Sequence, residues 1–137
     1  MQFNQLIPEL SVSNLQKSIQ FYVETIGFKI EYTREESKFV FVSYQDSQLM
    51  LEERNGNWTT GVLEYPFGRG INFEIFVSKI DPIIASLQTA GYPLMKAAWE
   101  SWYRKNDQAV GQREFLVQDP DGYLLRFAES LGIRSSV

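Results

Sequence analysis

The chain has 137 residues, of which 44% are hydrophobic and 15% aromatic, a composition that suits one compact domain and excludes a disordered chain. Lys and Arg number 13 against 17 Asp and Glu, so the net charge of −4 has the wrong sign for tracking phosphate backbones, and nucleic acid is not an expected partner. Cysteine and histidine are both absent, which removes disulfides, thiol nucleophiles, imidazole triads and the usual transition-metal ligands together.

Residues 3 to 12 alternate loosely and predict a strand, after which Ser13 or Asn14 suits a helix N-cap. The apolar spacing then changes to Leu15, Ile19, Tyr22 and Ile26, one stripe down a helix that Gly27 ends. Three strands follow, Phe28 to Thr33, Phe39 to Gln45 and Gln48 to Arg54, the last two joined by a turn at Asp46 and Ser47. Residues 55 to 70 carry four glycines and one proline without a period and read as a connecting loop.

The first pattern then begins again. Ile71 to Ser78 predicts a strand, and Asp81 is expected to cap a helix with Pro82 in its first turn, an apolar face of Ile80, Ile84 and Leu87, and Gly91 as its stop. A strand at Leu94 to Glu100, a polar stretch to Gln112, a strand at Arg113 to Gln118, the turn Asp119-Pro120-Asp121-Gly122 and a strand at Tyr123 to Ala128 complete the chain. An offset of 65 superposes Glu9 on Glu74, Val12 on Val77 and Leu15 on Ile80, and an offset of 75 superposes Val42 on Val117 and Leu49 on Leu124. The chain therefore reads as two weakly similar βαβββ halves.

The segments PELSVSNLQKSIQFYVETIGFKIEY at 8 to 32 and REFLVQDPDGYLLRF at 113 to 127 resemble the opening and closing units of the vicinal oxygen chelate superfamily, which holds glyoxalases, extradiol dioxygenases and bleomycin resistance proteins. The resemblance implies an α+β fold: two βαβββ modules, about 1–54 and 71–137 with a linker at 55–70, forming curved mixed sheets around a cleft in a single domain. In metal-using members of the family each half supplies two ligands. Carried across by the two offsets, those positions fall at Ile7, Leu51, Asn72 and Arg126, two apolar side chains, a neutral amide and a permanent cation. Neither a metal nor any other cofactor is expected, and no catalytic residue is assigned. A register slip of one residue would bring up Glu52 or Glu53 without supplying a histidine.

The resemblance is nearest to the metal-free bleomycin-resistance-like branch, which implies a homodimer that sequesters an aromatic or charged small molecule. Irregular segments supply aromatics for stacking: Trp58, Tyr65 and Phe67 in the long loop, and Trp99, Trp102 and Tyr103 further on. Packing over sheet edges or at a dimer interface explains these aromatics equally well. The expected ligand-binding set is Leu51, Trp58, Asn72, Trp99, Trp102, Tyr103 and Arg126. Arg126 needs a carboxylate, Glu74 or Glu9, or else an anionic ligand. Resistance proteins usually carry an aromatic just ahead of the Arg-Glu-Phe strand, where this chain has Ala109, Val110, Gly111 and Gln112, and Trp99 or Trp102 is positioned to fill that space. The competing expectation is a metal-independent lyase or isomerase in which Glu9, Glu52 or Glu74 acts as base and Arg126 holds a substrate carboxylate. Without an apolar run of membrane-spanning length or a secretion signal, the expected location is cytoplasmic and no membrane partner is expected.

Overall fold

A computed structural model describes residues 1–135; Ser136 and Val137, the end of the second module as drawn from the sequence, lie outside the described residues. The fold is α+β, with two four-stranded mixed sheets and few helices. The chain divides into two compact units, Met1–Arg69 together with Asp119–Tyr123, and Gly70–Gln118 together with the chain from Leu124 onward.

In the first unit β1 (Glu9–Val12), β2 (Lys29–Arg34), β3 (Phe39–Tyr44) and β4 (Ser47–Glu53) take the order β1-β4-β3-β2, with β1 parallel to β4. Strand β1 is shorter than expected. The residues before it form no strand and bend at Gln5 and Leu6; they are tied to the β3–β4 hairpin, where Asn4 donates to the Asp46 carbonyl and Gln48 donates to that of Gln2. Asn14, rather than Ser13, caps α1 (Leu15–Ile19), its side chain accepting from the Lys17 N–H. The helix widens into a π-helical stretch at Gln20–Ile26 and stops at Gly27, whose φ of 105° suits glycine. The Leu15 N–H donates to Glu53, which sets the helix on the face of β4 that carries Leu49 and Leu51. That face, with Leu10, Val12, Phe21, Tyr22 and Val42, is buried and forms the core of the unit.

The second unit repeats the plan with β5 (Asn72–Phe76), α2 (Asp81–Ala90), β6 (Lys96–Lys105), β7 (Gln108–Gln118) and β8 (Leu124–Ser135) in the order β5-β8-β7-β6. Asp81 is the first helical residue and not the cap; Ile80 holds the cap position, and Asp81 instead accepts from Arg113 at 2.8 Å. The buried helix face is Ile80, Ile83 and Leu87, so Ile83 replaces the expected Ile84. The Ile80 N–H donates to Glu129 and Arg113 pairs with both Glu129 and Asp81, which puts α2 on the sheet face that also carries Phe115 and Phe127, whose rings stack 5.4 Å apart. The polar stretch to Gln112 is not irregular. It is the solvated end of the β6–β7 hairpin, turning at Asn106 with φ 57°, and its charged residues reflect exposure on both faces rather than a lack of strand. Strand β8 likewise continues past Ala128 to pair along the whole of β7.

The strand registers revise the internal repeat. Glu9 pairs with Met50 in the first sheet, and Glu74 pairs with Arg126 in the second. Six residues separate the paired Val42 and Leu49, whereas seven separate Val117 and Leu125, because the second hairpin turn is one residue longer. The first-half counterpart of Arg126 is therefore Met50, not Leu51. Leu51 corresponds to Phe127, and both are fully buried core residues. A one-residue slip in a strand exchanges its two faces, so the correction moves the position from the core side to the opposite one.

Candidate functional site

The polar face of the second unit lies on the side of its sheet opposite α2. Strand alternation places Asn72 and Glu74 of β5, Arg126 of β8, Gln112 and Glu114 of β7, and Trp99, Ser101 and Tyr103 of β6 on that side. The Arg126 guanidinium reaches Glu74 at 2.5 Å through one terminal nitrogen and Glu114 at 3.2 Å through the other. Gln112 donates to both carboxylates, at 3.1 Å to Glu74 and 2.9 Å to Glu114. The Tyr103 hydroxyl donates to Glu114 at 2.9 Å. One network thus joins all four strands of the sheet.

Glu114 is completely buried, and its two oxygens together receive three donors, which is what a carboxylate needs to remain in the interior. Burial pulls the Arg126 guanidinium down, but Glu74 and Glu114 outweigh it and hold the group above its ordinary value. The guanidinium fork suits this double pairing because its two ends present parallel donors to separate carboxylates. Two carboxylates against one guanidinium leave the network with one net negative charge. Glu74 and Arg126 keep about a quarter of their side chains exposed, so this is a surface network with one buried member.

The expected site residues do not all gather here. Asn72, Trp99, Tyr103 and Arg126 share this face, with the Trp99 indole donating to Ser101 and the Lys96 ammonium 4.0 Å from its ring centre. Trp102 lies on the opposite face, where its indole donates to Glu100 and the Arg134 guanidinium stacks on the ring at 3.9 Å. It does fill the space ahead of Arg113: a Cβ at Gly111 would meet the indole at 2.5 Å, so the ring lies directly on the glycine backbone. Trp58 is 79% exposed in the loop of the first unit, and Leu51 is in that unit's core. Sequence reasoning missed Gln112 and Glu114. The legible signal was their i, i+2 spacing on a strand next to the one that carries Arg126.

The carboxylates of the first unit form a second, smaller group. Glu9 and Glu52 lie on the face of β1 and β4 opposite α1, with Met50 between them in the register. Burial first, and then the Glu52 charge, push the Glu9 carboxyl above its ordinary 4.5, opposed by Arg34.

The positions where family resemblance would place metal ligands are Ile7, Met50, Asn72 and Arg126. A branched alkyl chain, a thioether, an amide and a guanidinium that is already ion-paired do not make a divalent-ion site, so the residues do not fit a metal. Among the described residues no cluster of three or more His, Cys, Asp or Glu is placed to hold one.

The model of the Glyoxalase/Bleomycin resistance protein/Dioxygenase superfamily matches residues 2–127. A probable lactoylglutathione lyase of Vibrio parahaemolyticus is 31% identical over 128 residues, covering 88% of this chain and 86% of that protein. A lactoylglutathione lyase of Haemophilus influenzae is 27% identical over 135 residues, covering 93% of each. The solved structure of TioX from Micromonospora sp. ML1 is similar in fold, with a TM-score of 0.72, 16% identity, and coverage of 94% of this chain and 100% of that one.

Proposed function

Because the chain belongs to the Glyoxalase/Bleomycin resistance protein/Dioxygenase superfamily, we propose that it uses this fold without a metal, as a binding protein that sequesters an aromatic, positively charged small molecule. The observation that carries the reading is Arg126, a permanent cation at a metal-ligand position with its two terminal nitrogens ion-paired to Glu74 and Glu114. The excess carboxylate favours a cationic ligand, and Trp99 and Tyr103 offer ring surface on the same face. The proposal includes a homodimer working in the cytoplasm, and light scattering should return twice the chain mass. Titration with a bleomycin-type glycopeptide and a panel of aromatic amines, followed by tryptophan fluorescence, tests the binding. Saturable quenching that weakens in Glu74→Gln supports it, and a flat response to every compound refutes it.

A second reading is a metal-independent lyase or isomerase acting on a small carboxylate-bearing substrate. It is favoured by the relatives named as lactoylglutathione lyases. Glu74 would serve as base and Arg126 would hold the substrate anion. We place it second because Arg126 already engages two carboxylates of the protein itself. Turnover of lactoylglutathione that resists chelation and disappears in Glu74→Gln would put this reading first.

A further inference from the structure

We infer that Arg126 is a built-in cation, a guanidinium that stands between Glu74 and Glu114 where a bound ion would otherwise have to stand, and so fixes the polar face of the β5–β8–β7–β6 sheet without any metal. The geometry carries this in three ways. The two ends of the guanidinium reach carboxylates on two different strands, 2.5 Å to Glu74 on β5 and 3.2 Å to Glu114 on β7, with Arg126 itself on β8 between them. The Gln112 amide donates to the same two carboxylates and so bridges them a second time. Tyr103 brings β6 into the network through Glu114.

Two carboxylates held this close repel one another, and one of them is completely buried, so a positive charge between them offsets the cost of keeping both ionised. A side chain supplies that charge at every ionic composition of the solvent, whereas a bound ion would depend on supply and pH. The consequence is that the face is indifferent to metals while Arg126 is present and open to them when it is removed. Glu74 and Glu114 would then be uncompensated oxygen donors, with the Gln112 amide and the Tyr103 phenol beside them. This inference shares the Arg126 network with the proposed function: divalent-ion binding by the wild type would overturn both, whereas failure of the Arg126→His variant to take up an ion would overturn this inference alone.

The test compares wild type, Arg126→His, Arg126→Lys and the double variant R126H/E74Q by thermal melting and isothermal titration, each with ZnCl2, with MnCl2 and with EDTA. Wild type and Arg126→Lys should show no binding heat and no shift. Arg126→His places one imidazole against two carboxylates and should bind one Zn2+ per chain, raising its melting midpoint by about 5 °C or more. That response should vanish in R126H/E74Q. If Arg126→His is unfolded without metal, the inference requires that Zn2+ or Mn2+ restore a cooperative melt. An ordinary cross-strand ion pair would lose stability on substitution and gain nothing from the ion. A wild-type protein that binds a divalent ion stoichiometrically, or an Arg126→His variant that neither binds nor is rescued by one, overturns the inference.

Discussion

The Tyr22 hydroxyl donates a 2.7 Å hydrogen bond to the Asp119 carboxylate, joining the π-helical end of the first helix to a turn 97 residues further along the chain. Asp119 also accepts from the N–H groups of Asp121 and Tyr123, Asp121 accepts from the Ser13 N–H, and the Tyr123 hydroxyl reaches the Ser11 carbonyl. The Asp-Pro-Asp-Gly motif is therefore more than a turn. Its two carboxylates are buried anchors within the first unit, although β7 and β8, which flank it, belong to the second.

Substituting Tyr22→Phe leaves the ring in place and withdraws one donor from a buried carboxylate. The expected loss is about 1–3 kcal/mol, the usual range for a hydrogen bond to a buried charged group. Urea unfolding should show a lower midpoint with an unchanged slope, and a midpoint equal to wild type would remove the bond from the stability of the unit.

Burial pushes the Asp119 carboxyl up to about 6 from 3.8, against the opposing pull of the Tyr22 hydroxyl and of the Tyr123 and Asp121 N–H groups. Between those two values the folded state holds more protons than the unfolded chain. The contribution is therefore fully present below about pH 4 and is lost as pH rises through about 6, an effect of up to about 3 kcal/mol. Asp119→Asn should flatten the stability profile across this window. An unchanged slope in that variant would assign the pH dependence elsewhere.

Among the described residues the buried Ser18 hydroxyl on α1 has no hydrogen-bond partner. Replacing it with alanine removes an unsatisfied polar atom, shrinks the side chain slightly and improves helix propensity, so Ser18→Ala should stabilise the protein by about 1 kcal/mol. A lower melting temperature in that variant would contradict the unsatisfied state of the hydroxyl.

Glu74 and Glu114 face the same guanidinium but should respond unequally to substitution. Glu114→Gln alters a completely buried group with three donors on it and should cost about 3 kcal/mol. Glu74→Gln alters a partly exposed partner and should cost about 1 kcal/mol or less. Equal losses in parallel denaturation curves would show that burial does not set the difference.

At Gly111 an added methyl group would meet the Trp102 ring at 2.5 Å. Gly111→Ala should displace the indole and its Arg134 contact and cost about 1–3 kcal/mol. An altered near-ultraviolet circular dichroism spectrum should accompany the loss, and an unperturbed spectrum would mean that the indole does not rest on this backbone.

The two βαβββ modules, the helix stops at Gly27 and Gly91, and the lack of imidazole and thiol donors were all readable from residue order, because periodicity, turn chemistry and composition are local properties. The charge of Arg126 was equally plain, and Glu74 could be named as one of two candidate partners. Its choice over Glu9, and the second contact with Glu114, depend on which strands lie side by side, and one sequence does not carry that information. The same limit explains the other departures. One extra residue in the second hairpin turn made Met50 rather than Leu51 the first-half counterpart of Arg126, and strand alternation sent Trp102 to one face of the sheet and Trp99 to the other. Side chains in a strand change faces at every residue, so a pattern that is sufficient to identify a strand still leaves its neighbours, and with them the chemistry of each face, to long-range pairing.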